Sequence, residues 1–170
     1  MSVNMESFRR ISKSKKTIAI ICLIILAIAA YFLNQKYIVG KSEKGILFVK
    51  RAYAGMPLVL EYRHSVQRTM IYENLEIDDN VNGLVLKSTK YQSYGAGLPF
   101  LQTDGHFRKE KDWFVLDSIN RKYPVLSIRN GVINEEKVHV GNSVYNLKDE
   151  MPIGTKLDIC VVPLYKICFL

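Results

Sequence analysis

The sequence predicts an all-β domain, a small β-sandwich or barrel, preceded by a single N-terminal transmembrane helix. Three observations predict it. Thr17 to Leu33 is an uncharged apolar run that follows a cluster of cations. From Ile46 onward, apolar and polar residues alternate with a period of two and are rich in β-branched and aromatic side chains. No long stretch after residue 36 carries the apolar stripe of an amphipathic helix.

Residues 1–16 read as a basic cytoplasmic tail containing Arg9, Arg10, Lys13, Lys15 and Lys16. Residues 17–33 follow as a transmembrane helix or signal segment. Cations flanking the first apolar segment stay in the cytoplasm, so the remainder is expected to be extracytoplasmic. Ala27-Ile28-Ala29 has the small residues a signal peptidase reads. The apolar run continues through Tyr31, Phe32 and Leu33, which favours a retained single-pass anchor in the cell membrane over a cleaved leader. Residues 34–44 read as a polar tether, and 45–170 as the β domain.

The formal charge of +8 is unevenly spread. Residues 1–36 carry six of the 24 Lys and Arg against Glu6 alone, leaving the remainder with 18 basic and 15 acidic residues. Most of the excess therefore belongs to membrane topology. The exported domain lacks the basic stripe that a phosphate backbone requires, which argues against nucleic-acid binding.

In the exported part, strands are expected at Ile46–Val49, Leu58–Tyr62, Thr69–Ile77, Leu84–Tyr91, Trp113–Leu116, Val125–Arg129, Lys137–Val140, Ser143–Leu147 and Lys156–Val162. Gly55-Met56-Pro57 marks one turn, and Asp78-Asp79-Asn80 begins the link of a hairpin. Gly141-Asn142 is the sharpest turn signal, set between two short strands.

Two stretches hold the candidate chemistry. The first is Glu61-Tyr62-Arg63-His64-Ser65-Val66, with Glu73 downstream. Adjacent strand residues face opposite ways, so His64 and Ser65 cannot act as base and nucleophile unless the chain turns there. Glu73 could orient His64 if the two strands pair, or His64, Ser65 and Glu73 could form a buried network between strands. The second stretch runs from Lys90 to Pro99. Gly95 and Gly97 allow a tight turn whose N–H groups could hold a small carboxylate, with Ser93 and Pro99 flanking it. His64, His106 and His139 lack the paired spacing of metal ligands, so neither metal nor cofactor is expected.

Tyr62-x-His64-Ser65-Val66, then Glu73, then Tyr91-x-Ser93-Tyr94-Gly95-Ala96-Gly97-Leu98-Pro99 resembles the bacterial DUF1850 family. The likeness extends to Trp113-Phe114. The resemblance implies a small exported protein led by one hydrophobic segment. It also implies an accessory role beside TRAP transporters of the TAXI type, which import small organic anions. The implied partners are the transporter permease or its solute receptor, on the outer side of the membrane. Tyr62, His64, Ser65, Glu73, Ser93, Gly95, Gly97 and Pro99 are then signature positions, and no catalytic residues carry over.

Cys160 and Cys168 are either a disulfide across a short hairpin around Pro163 and Leu164 or two small buried strand residues. An enzymatic alternative, an envelope hydrolase or transferase, would use His64 with Glu73, or Cys160. Leu157-Asp158-Ile159-Cys160 is similar to the catalytic strand of sortases, with His106 upstream. Both sortase threonines are absent, and Lys166 stands where an arginine clamp is needed.

Overall fold

The computed structural model describes residues 4–65, 67–92, 105–131 and 135–170, with side chains from Lys15 onward in the first helix. The chain divides into two units, residues 1–35 with 163–169 and residues 36–162 with Leu170.

The first unit is dominated by helix α1, Asn4–Leu33. Its segment Lys15–Leu33 spans 19 residues and none of it is buried. At 1.5 Å per residue it covers about 28 Å, enough for a hydrocarbon core. Leu23, Leu26 and Phe32 all lie exposed on it. A helix apolar all round is suited to lipid rather than to one side of a protein core. This segment begins two residues before Thr17, inside a helix that starts at Asn4.

Among the described residues, the second unit holds eleven strands. These are β1 (Lys36–Ser42), β2 (Gly45–Arg51), β3 (Pro57–Arg63), β4 (Met70–Ile77), β5 (Leu84–Tyr91), β6 (His106–Glu110), β7 (Trp113–Tyr123), β8 (Val125–Arg129), β9 (Lys137–Val140), β10 (Ser143–Asn146) and β11 (Lys156–Pro163). A one-turn helix α2 (Leu147–Glu150) follows β10, and another, α3 (Leu164–Ile167), follows β11. The strands form two antiparallel sheets, ordered β2-β1-β11-β8 and β10-β9-β3-β4-β5-β7-β6. This is the all-β sandwich the alternation predicts.

One core fills the space between the sheets. Ile38, Phe48, Leu126, Leu157 and Ile159 come from the smaller sheet, and Leu58, Leu60, Leu75, Leu84 and Val138 from the larger. Each such fully buried side chain contributes about 1.5–3 kcal/mol. Gly40 on β1 is needed for close packing: a Cβ there would sit 2.4 Å from the Phe48 ring. That ring is fixed by stacking on Tyr145 at 4.8 Å between centroids. At the β9–β10 turn, Gly141 takes φ 54°, the left-handed conformation a tight hairpin demands.

Three expectations need correction. Most of the presumed tether 34–44 is strand β1, which lies inside its sheet between β2 and β11. Ile38 and Val39 on it are wholly buried, and that burial outweighs its polar flanks. Strand β7 runs seven residues past Leu116, because backbone at Ser118 (φ 60°) and Asn120 (φ 53°) bulges and then rejoins β5. The chain after β11 enters α3 rather than a hairpin around Pro163.

Candidate functional site

Pairing fixes which side chains face inward. Leu58 opposes Leu75 and Leu60 opposes Glu73 across β3 and β4. Leu58, Leu60 and Leu75 are buried, so Glu73 lies on the core face with them. Two residues beyond Leu60 on β3, Tyr62 takes the same face. Its hydroxyl donates to Glu73 Oε1 at 2.9 Å. A tyrosine and a glutamate thus close one end of an apolar interior.

A cleft of about 320 Å³ opens above this pair. Its floor and walls are Leu60, Glu61, Tyr62 and Glu73 of β3 and β4, Tyr123 of β7, Glu136 just before β9, and Lys137 at the start of β9. Leu126 to Arg129 of β8 form the opposite wall. The bulge in β7 sets the register that pairs Tyr123 with buried Leu84, which turns the ring inward. The far end of β8 is pinned by Asn130, whose Nδ2 donates to the carbonyls of Leu147 (3.1 Å) and Met151 (2.8 Å) at α2.

The electrostatics are those of a dry carboxylate. Burial raises the Glu73 carboxyl above its ordinary value, against the lowering effects of the Tyr62 hydrogen bond and the Arg121 charge. Burial also raises the Tyr62 phenol, assisted by Glu73 and Glu136. Tyr62 therefore stays protonated and acts as a hydrogen-bond donor. Glu73 and Glu136 bring carboxylates to this cleft, and Arg129 and Lys137 bring cations, so its lining offers partners of both signs.

The outer face of the same strands is organised differently. Glu61, opposite Lys137, is bonded to Lys137 Nζ at 2.9 Å and lies 3.0 Å from His139 Nε2. Burial works to raise the Glu61 carboxyl, but the Lys137 and His139 contacts outweigh it and the net shift is downward. Further along the face, Tyr72 packs on Trp113, and Lys90 Nζ stands 4.9 Å from the Trp113 ring centroid.

The signature residues divide. Tyr62 and Glu73 meet. His64 does not share their site: it lies past β3 in a turn, where its N–H bonds Thr69 O and its Nδ1 accepts from the Gln67 N–H at 3.2 Å. Ser65 is exposed in the same turn. Ser93, Gly95, Gly97 and Pro99, with the anion-holding turn expected there, lie outside the described residues. Tyr123, Arg121, Glu136 and Asn130 were missed because no motif marks them; only the topology gathers them. Cys160 and Cys168 are free thiols. Burial, then the charge of Asp158, pushes the Cys160 thiol up, the reverse of what an activated nucleophile needs.

Fold and site together define a class: a small antiparallel sandwich with a tyrosine–glutamate pair set in an inter-sheet cleft, in a chain led by an apolar helix. The chain belongs to the DUF1850 family, described as a domain of unknown function, whose model matches residues 58–147. The match holds every strand of the larger sheet together with β8, and leaves β1, β2 and β11 outside. No curated protein and no solved structure matches the chain significantly.

Proposed function

We propose that this protein is a membrane-anchored, extracytoplasmic accessory domain of a TAXI-type TRAP transporter for small organic anions, acting without catalysis on the permease or its solute receptor. The observation that carries this reading is an apolar helix behind cations in the same chain as a β domain that holds a cleft of about 320 Å³. The cleft is lined by Tyr62, by three glutamates and by Arg129 and Lys137, while His64 is engaged in a turn and Cys160 is held as a thiol. Neither arrangement supplies an activated nucleophile with an oriented base.

Anchoring supports the same reading. With α1 in the bilayer and its cations on the cytoplasmic side, the domain diffuses in two dimensions beside any permease. Confinement of that kind raises effective concentration, so a modest interface suffices. The transporter association comes from the family resemblance.

Co-expression of the tagged full chain with the TAXI-type permease of the same genome tests the proposal. The permease should co-purify, and deleting this protein should reduce uptake of the transporter's substrate. Unchanged uptake together with no co-purification would overturn it.

A further inference from the structure

We propose that the cleft and the open edge of β8 form one groove for an extended peptide of a partner protein, which adds as a strand beside β8 and directs a basic side chain at Glu73. This rests on the accessory reading above and names what the domain would grip.

The first support is the edge itself. Among the described residues, strand β8 ends its sheet and pairs only with β11. The Asn130 N–H donates to Thr155 O at 3.0 Å, toward the β11 side. Antiparallel pairing alternates, so Leu126 and Ile128 also turn their backbone groups to β11. Val125, Ser127 and Arg129 turn theirs to the open side. Proteins commonly guard such edges with bulges, covering loops or charged side chains. Strand β8 pairs without a register shift, and its one charged side chain, Arg129, is bonded to the Gly154 carbonyl at 2.7 Å.

The second support is the cleft. Four consecutive residues of β8 line it, although strand side chains alternate between faces. The backbone edge is therefore itself a wall. A strand added there sends every second side chain toward the floor, where Tyr62, Glu73 and Glu136 wait. Main-chain bonding supplies affinity in such complexes, and the pocket supplies selectivity. At about 320 Å³ the cleft is near the lower limit for a small-molecule pocket, a size that suits one inserted side chain. Arg129 and Lys137 line the cleft as well, but they are bonded to the Gly154 carbonyl and to Glu61, and the Glu73 carboxylate at the floor selects a cationic one. Arg121 is exposed to screening water. The buried Glu73 carboxyl, bonded by the uncharged Tyr62 hydroxyl, gains from a cation brought in dry.

The test is fluorescence anisotropy on the full chain in non-ionic detergent micelles. The probe is a labelled peptide of alternating valine and lysine, matched to the five residues of β8. It should bind saturably, and replacing its lysines with glutamate should weaken binding at least about tenfold. Methylating the alternate backbone nitrogens of the peptide should abolish binding without touching the protein. Glu73→Gln should weaken binding roughly tenfold while the melting transition stays cooperative. Absence of saturable binding would overturn the groove. So would equal binding of the methylated peptide, or displacement by butylamine at the same concentration as the lysine peptide, which would assign the cleft to a free amine. Equal co-purification of the permease by wild type and Glu73→Gln would overturn the groove and leave the accessory reading standing. Saturable peptide binding without any co-purification would do the opposite.

Discussion

Glu61 and Glu73 sit on neighbouring strands of one sheet, yet they face opposite worlds. Glu61 opposes Tyr72, and Glu73 opposes Leu60, one position away. On the outer face, Lys137 and His139 lower Glu61 despite the contrary effect of burial. On the inner face, burial raises Glu73, and the Tyr62 hydroxyl, an uncharged phenol, donates to it. The same side chain becomes an ordinary ion-pair member or a poised, partly desolvated acceptor according to pleat parity alone. A one-residue slip of register would exchange the two roles.

The largest way to break this contrast is to cut the inner face under the cleft. Leu60→Ala should cost about 2–5 kcal/mol in a urea melt. Val59→Ala, on the outer face beside it, should cost less than about 1 kcal/mol. Equal losses would mean that the faces are not distinct.

Next in size is Tyr62→Phe, which removes the donor to Glu73 and leaves a buried acceptor poorly satisfied. A loss of about 1–3 kcal/mol is expected at neutral pH. A neutral effect would show that water replaces the hydroxyl at no cost.

Charge removal sharpens the comparison through pH. Because the Glu73 value is raised, its proton-linked stabilisation is complete below the unfolded value near 4.5 and is lost as pH rises through its own higher value. Glu73→Gln should remove that loss, so the variant holds its stability better than wild type as pH rises from 4 to 8. Glu61 has the opposite sign. Its contribution is present above 4.5 and is lost as pH falls through its own lower value. Glu61→Gln should flatten the acid limb only. Lys137 and His139 are about a third or more exposed, so the cost at neutral pH should be no more than about 1 kcal/mol. Chemical denaturation across pH checks both variants.

Much of this arrangement was legible in the sequence, for a physical reason. Strands β3, β4, β5, β8, β9 and β11 have a core face and a polar face, and that asymmetry prints itself as period two. Strand β1 did not show, because Tyr37-Ile38-Val39 is a short apolar run cut off by Gly40 and flanked by lysines. Its burial comes from strands on both sides, one of them more than a hundred residues away. Strand β6, His106–Glu110, is an exposed edge and carries almost no alternation. At the site, Tyr62 and Glu73 stood out, but the partner assigned to Glu73 was His64. The register decided otherwise: Tyr62 pairs with Ile71, which leaves His64 beyond the strand end, where the chain turns. Tyr123 and Glu136 reach the cleft through a bulge and a crossover between sheets, and neither leaves a local trace.

The binding role of the cleft depends on the inner-face carboxyl being the one that burial raises. Carboxyl-selective NMR titration of the full chain, with Glu61 and Glu73 assigned by substitution, measures this directly. Glu73 should titrate above 4.5 and Glu61 below it. Coincident midpoints, or Glu73 as the more acidic of the two, would mean that the Tyr62–Glu73 cleft is wet and unselective, and the binding role assigned to it would be wrong.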